Sequence, residues 1–282
     1  MRPNTCLKSS ALILALAAAP AFAQTFPAIQ STQKYEIKST GAPQFYSNHA
    51  RATSQVKLVG GVYTIRDTGS VSRTSSFGPI SGVTVTNTPT HTIYTKSTGG
   101  TAETFRVYKQ GQALPAITLT YSTYAHWRES TPGAGYQGAT KVSDTYFTFG
   151  TKTTSASMPR VGGATYNAAL DGTFVNRNGV YALSGAADFT ATWSSGALTF
   201  NASPIASGGP TPPPALPTFG TISGTGSINF NGASFNASGS STSHQMNMFG
   251  YFYGPAAAEL GAVFKLSGGG GMGTGAIVGK KN

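Results

Sequence analysis

Cysteine is almost missing from this chain of 282 residues: Cys6 is the single one, and it precedes the apolar run 11–19. A disulfide framework is therefore excluded, and whatever core forms must hold by packing alone. Charge is also scarce. Only 10% of residues are Asp, Glu, Lys or Arg, and the 8 acids are outnumbered by 19 bases, for a formal net charge of +11. Eight scattered carboxylates offer no paired-acid motif. The G-x-S-x-G elbow and the H-E-x-x-H zinc motif do not occur, and the glycine run 268–273 matches G-x-G-x-x-G without a βαβ unit around it. The segment 275–280 stops short of a phosphate loop and lacks its Ser or Thr. No enzyme is expected from this inventory. Long helical periodicity is absent, and nothing resembles a helix-turn-helix or finger, so the basic charge does not point to nucleic acid. The four histidines, His49, His91, His126 and His244, have no close metal-ligand spacing.

Arg2 and Lys8 followed by the apolar run and Ala21-Phe22-Ala23 read as a secretory signal peptide over residues 1–23. The run is too short to cross a bilayer, so no transmembrane segment is expected after cleavage. From residue 24 to 160 there are 13 Lys/Arg against 5 Asp/Glu, a net of +8, and from 161 onward 4 against 3. The base-rich half would steer an acidic partner, haem propionates or an anionic surface, or be simply a solvated face.

Glycine (36 residues), abundant Ser and Thr and 11% aromatics favour short strands and turns over helices. Val56-Lys57-Leu58, Val62 to Ile65, Phe105-Arg106-Val107-Tyr108 and Ile117 to Tyr121 alternate at strand period. Gly60-Gly61 and Gly99-Gly100 mark turns, and 50–54 or 101–104 are candidate helical stretches. The polar segment 128–140 reads as a mobile loop. Further on, Asp171-Gly172, Asn178-Gly179 and Asn231-Gly232 suit type I′ turns, and a proline-rich loop is expected over 205–217. Phe189, Ala191 and Trp193 share one strand face, as do Leu198, Phe200 and Ala202. About eight strands follow one another, and closing them into an up-and-down barrel removes unpaired edges. The expected fold class is all-β: an N-terminal β-sheet domain over 24–144, then an eight-stranded antiparallel barrel over 145–282, filled by its own side chains.

The stretch Phe252-Tyr253-Gly254-Pro255-Ala256-Ala257-Ala258-Glu259-Leu260-Gly261-Ala262-Val263-Phe264 resembles the C-terminal signature of the barrel in transferrin-binding protein B lobes and related bacterial surface proteins. Gly150-Thr151, Met158-Pro159, Gly163 to Tyr166 and Gly185 to Phe189 are similar to that family's barrel entry and second strand. The resemblance covers residues 145–282 well and implies that the preceding sheet is a handle-like domain. Its signature residues here are Phe252, Tyr253, Gly254, Pro255, Glu259, Leu260, Gly261 and Phe264. Within the turn, Glu259 either caps backbone N–H groups or is an exposed surface residue. The implied function is that of an exported, monomeric, non-enzymatic binding protein, like a single lobe, serving iron or haem acquisition or surface interaction. No cysteine follows the cleavage point, so the expected form carries no lipid anchor and is extracellular, at the outer-membrane surface or periplasmic. The partner is a protein or haem; no cofactor is expected. The alternative is a secreted haemophore binding haem through the N-terminal domain, with His49, His91 and His126 as candidate ligands, each weighed against an ordinary surface histidine.

Overall fold

A computed structural model describes residues 24–37, 44–67, 73–114, 117–209 and 215–282. The signal peptide read over 1–23 lies outside them, as does the run of prolines at 210–214.

The chain is built from strands β1 (Gln24–Ile37), β2 (Gln44–Val59), β3 (Val62–Asp67), β4 (Arg73–Phe77), β5 (Thr84–Asn87), β6 (His91–Thr98), β7 (Thr101–Tyr108), β8 (Ala113–Leu114), β9 (Ile117–Thr118), β10 (Ser122–Thr131) and β11 (Thr140–Gly150), followed by a second set. That second set is β12 (Gly163–Asn176), β13 (Gly179–Thr192), β14 (Ala197–Ser207), β15 (Ile222–Asn229), β16 (Ser234–Ser240), β17 (His244–Tyr253), β18 (Glu259–Gly268) and β19 (Gly271–Lys281). Strands β12 to β19 pair in sequence order and close on themselves into an eight-stranded antiparallel barrel. Nine of the earlier strands form one antiparallel sheet in the order β4-β3-β2-β1-β11-β10-β7-β6-β5, with β8 and β9 pairing apart. Thr145, where the sequence reading begins the barrel, sits inside β11 and pairs with Thr32 and Trp127 in the nine-stranded sheet.

Period-two alternation explains the packing. In the barrel, Phe189, Ala191, Leu198, Phe200 and Ala202 point inward and join Trp193, Phe235, Phe252 and Phe264 in one continuous core. The cylinder is thus filled by side chains. The sheet alternates too. Phe105, Val107, Ala125, Trp127, Phe147 and Phe149 line one face, where the sheet curls far enough for Phe77 of β4 to stack on Phe105 of β7, with ring centroids 5.0 Å apart. Its other face lies against the barrel wall: Tyr108, Tyr124 and Tyr146 pack on Ala276 and Val278 of β19.

Several local expectations are corrected. Residues 50–54 and 101–104 are strand, the first held in β2 by pairing with β1 and the second in β7 by ladders to β6 and β10. The loop expected over 128–140 is shorter, because β10 runs to Thr131 and Glu36 accepts the Tyr136 N–H at 2.9 Å. The proline-rich loop begins later than 205, since β14 continues to Ser207. Asp171-Gly172 is no turn. It lies mid-strand in β12, where a Cβ on Gly172 would come within 2.9 Å of the Phe264 ring and 2.6 Å of the Thr274 carbonyl. Asn176 pairs with Gly179, so the turn there is Arg177-Asn178, with the Asn176 side chain accepting the Asn178 and Gly179 N–H groups. The Asn231-Gly232 loop likewise puts its positive φ on Ala233. Gly60-Gly61 and Gly99-Gly100 do take positive φ at both positions.

Candidate binding cleft

The signature turn is built to lock the sheet to the barrel. Gly254 has φ 72° and lies under Tyr121, whose ring leaves no room for a Cβ, the nearest ring carbon being 2.4 Å from where one would stand. Pro255 to Ala257 form a single tight turn with Ala256 and Ala257 both at positive φ, and Tyr166 donates its hydroxyl to the Ala257 carbonyl at 2.7 Å. Strand β18 begins at Glu259. Its side chain is 1% exposed and accepts the backbone N–H groups of Thr120, Tyr121 and Ser122 at 2.5, 3.0 and 2.8 Å, and the Ser122 hydroxyl at 2.7 Å. It is a cap, bridging the chain segment that enters β10. Phe252, Leu260 and Phe264 belong to the barrel core, Tyr253 packs outward with Tyr251 and Val263, and Gly261 leaves space for Tyr253 and Thr148. Pro255 is exposed.

With that segment fixed, the barrel-facing residues of β10 fall in a row: Tyr124, His126 and Arg128. Opposite them in register stand Arg106 of β7 and Asp144 and Tyr146 of β11. Asp144 is fully buried and takes four bonds, from His126 Nε2 (2.6 Å), Arg128 Nε (2.8 Å) and Nη2 (2.9 Å), and the Tyr35 hydroxyl (2.7 Å). Burial by itself would raise this carboxyl; the charges and hydrogen bonds of His126 and Arg128 reverse that and hold it well below the usual carboxylate range. Burial lowers the His126 imidazole in spite of Asp144. A carboxylate only accepts, so Nε2 carries the imidazole proton. The His126 ring lies flat on Tyr146, centroids 4.3 Å apart at 7°.

A second group meets the first from the barrel. Asp171 of β12, turned outward, accepts from Arg106 Nη2 at 2.7 Å and from the Tyr124 hydroxyl at 3.0 Å. His91 Nε2 lies 3.2 Å from that same hydroxyl, and its Nδ1 lies 2.9 Å from the Thr90 hydroxyl. Burial, helped by Arg106, lowers His91 to about 4. Tyr146 reaches Thr173 at 2.9 Å. Between these groups opens a cleft of about 530 Å³, bounded by Arg106, His126, Arg128 and Tyr146 of the sheet and by Asp171, Tyr181 and Gly209 of the barrel. Two guanidiniums and two carboxylates meet at this junction, and among the described residues two buried donors beside it have no partner: Arg106 Nε and the hydroxyl of Tyr181, whose ring belongs to the barrel core. Such orphaned buried groups cost free energy until something accepts from them.

Of the histidines singled out from sequence, His91 and His126 come together on this wall, while His49 sits in β2 opposite Thr32, with β1 and β11 between it and β10. The His49 side chain is outside the described residues. Among the described residues, no group of three or more His, Cys, Asp or Glu is placed to hold a metal, and no helix is long and apolar enough to cross a membrane. Sequence reasoning missed Arg106, Arg128, Asp144 and Asp171. The signal was the alternation Tyr124-x-His126-x-Arg128, obscured by reading Arg128 as loop.

No family model matches the chain, and no curated protein matches it. Among solved structures it is similar to a transferrin-binding protein B double mutant from Haemophilus parasuis Hp5, at 14% identity and TM-score 0.45, over 84% of this chain and 54% of that one. The chain thus spans about half the length of that protein. It is also similar to a transferrin-binding protein B mutant from Actinobacillus pleuropneumoniae H49, at 12% identity and TM-score 0.45 over 91% and 100% of the two chains. A third similar structure is the N-lobe of lactoferrin-binding protein B of Moraxella bovis, at 14% identity and TM-score 0.41 over 90% and 99%.

Proposed function

We propose that this is an exported, non-enzymatic binding protein in which a handle-like sheet and a solid barrel together present a polar cleft to a ligand. Residues 1–23 are its export signal. The observation that carries the reading is the cleft itself, in which Arg106, His126 and Arg128 of the sheet stand across from Asp171 and Tyr181 of the barrel, between walls locked together by the Glu259 cap. A filled barrel has no room for a ligand inside, so recognition falls to the surface where sheet and barrel meet. The sequence resemblance to transferrin-binding lobes points to iron or haem acquisition, or surface interaction, with a protein partner. Surface plasmon resonance of the mature chain against iron-loaded transferrin and lactoferrin tests this. Binding to either supports the protein-partner reading, and binding to neither removes it.

A second reading, a haemophore, is favoured by one arrangement: His126 and two arginines suited to propionates share the cleft. It requires His126 to coordinate iron while Nε2 is engaged with Asp144, and both ring nitrogens of His91 are already within reach of hydroxyls. Titration with haemin decides it. A Soret shift lost in His126→Ala supports direct ligation, and no shift in the wild type ends the idea.

A further inference from the structure

The outward face of β13 to β17 is unusual for a chain with net charge +11: Asp188 is its one charged side chain. What it carries instead is in register. Thr190 stands beside Thr199, Thr199 beside Thr225, Thr225 beside Ser238, and Ser238 beside Asn247. One step along, Ser227, Asn236 and Phe249 form a parallel row, ending against Val263. Neighbouring strands lie about 4.8 Å apart, so hydroxyl and amide groups recur at that interval across the wall, with the next row about 7 Å away along the strands.

These rows do not lie on a simple convex surface. Gly224 and Gly239 oppose each other, and Gly226 opposes Ala237, so the interior side of this wall is nearly bare. The ring of Phe200 comes within 2.5 Å of where a Gly224 Cβ would stand, and the Asn236 carbonyl within 2.1 Å of one on Gly226. The wall sinks inward there, and outside it lies a groove of about 390 Å³ bordered by Thr225, Ser227, Asn236, Ser238, Asn247 and Phe249. Phe249 is half-buried, its ring edge-on to Tyr251 at 5.4 Å, which fixes an aromatic face at the border where the wall passes under the sheet.

We infer that this groove is a second binding site, separate from the cleft, and that it takes an extended uncharged polysaccharide. The chemistry selects the occupant. A ligand made of hydroxyl and ring oxygens exchanges hydrogen bonds with Ser, Thr and Asn, which both donate and accept, and its apolar ring faces stack on an aromatic. A charged polymer finds only Asp188 and, beside Asn247, Lys265 to pair with, and an apolar partner would bury these polar rows without compensation.

The test uses the full mature chain on affinity gels containing hydroxyethyl cellulose, xyloglucan, dextran, heparin or alginate, run with and without 0.5 M salt, which cuts the screening length to about 4 Å. Retardation by at least one of the three neutral polymers, unchanged by salt and weakened tenfold or more in both Phe249→Ala and Asn247→Ala, is the expected result. Asn247 is exposed, so its variant keeps the proposal testable if loss of Phe249 disturbs folding, and Arg106→Gln should leave retardation unchanged. No retardation by any neutral polymer overturns the inference. So does binding only to heparin or alginate that salt abolishes, retardation untouched by Asn247→Ala, or a concentration-dependent dimer in sedimentation that Phe249→Ala dissolves, which would assign the face to a second copy of the chain.

Discussion

Glu259 holds a carboxylate in the interior with backbone donors in place of a cation. Three consecutive N–H groups and a serine hydroxyl satisfy it, and hydrogen bonds to a charged acceptor are worth more than neutral ones. Removing it in Glu259→Ala strands those donors, so denaturant unfolding should show a loss of about 3 kcal/mol or more, against under about 1 kcal/mol if the side chain were the exposed alternative. The histidines set the acid response. His91 is lowered to about 4 in the fold, whereas an unfolded chain titrates near its ordinary 6.5. Between those values the unfolded state binds the extra proton, so stability is full above about pH 7 and falls as pH drops toward 4. His126 and His244 are shifted in the same direction by burial. Thermal midpoints measured from pH 7.5 to 4.5 should decline, and His91→Gln should flatten part of that slope.

At the scale of single elements, glycines divide into two classes that look identical in a sequence. Gly99 and Gly100 are chosen for positive φ at a hairpin tip with open space around them, whereas Gly172 and Gly275 are chosen so that the Phe264 ring can lie against bare backbone inside the barrel. That difference explains why Gly60-Gly61 and Gly99-Gly100 were legible as turns while Asp171-Gly172 was misread: the reason for Gly172 is a ring more than ninety residues away. Gly99→Ala should cost about 1 kcal/mol, the ordinary penalty of the left-handed region. Gly172→Ala should cost clearly more, about 2 to 3 kcal/mol from overpacking, and paired urea titrations of the two variants check the order. Strand periodicity was readable because alternation is local. The end of β10 was not, since Arg128 is held in strand by Asp144 across the sheet, a contact that polar composition disguises as loop.

In the molecule as a whole, the barrel signature has a local purpose that extends beyond the barrel. The turn at Gly254, the cap at Glu259 and the reach of Thr274 to Ser31 fasten the sheet to β18 and β19, and Arg106 with Asp171 spans the same junction nearer solvent. The eight-stranded closure and filled interior were legible in the sequence from strand count and alternation. The cleft was only half legible, because His91 and His126 were visible as residue types while their arginine and aspartate neighbours come together through strand pairing. The most direct measurement is binding of iron-loaded transferrin, lactoferrin and haemin to the wild type, to Arg106→Gln/Tyr181→Phe and to the distant control Lys265→Gln. The account predicts at least one ligand bound by the wild type and the control, and weakened tenfold or more by the cleft pair with the thermal midpoint shifted only a few degrees. A ligand bound equally well by all three proteins would contradict it.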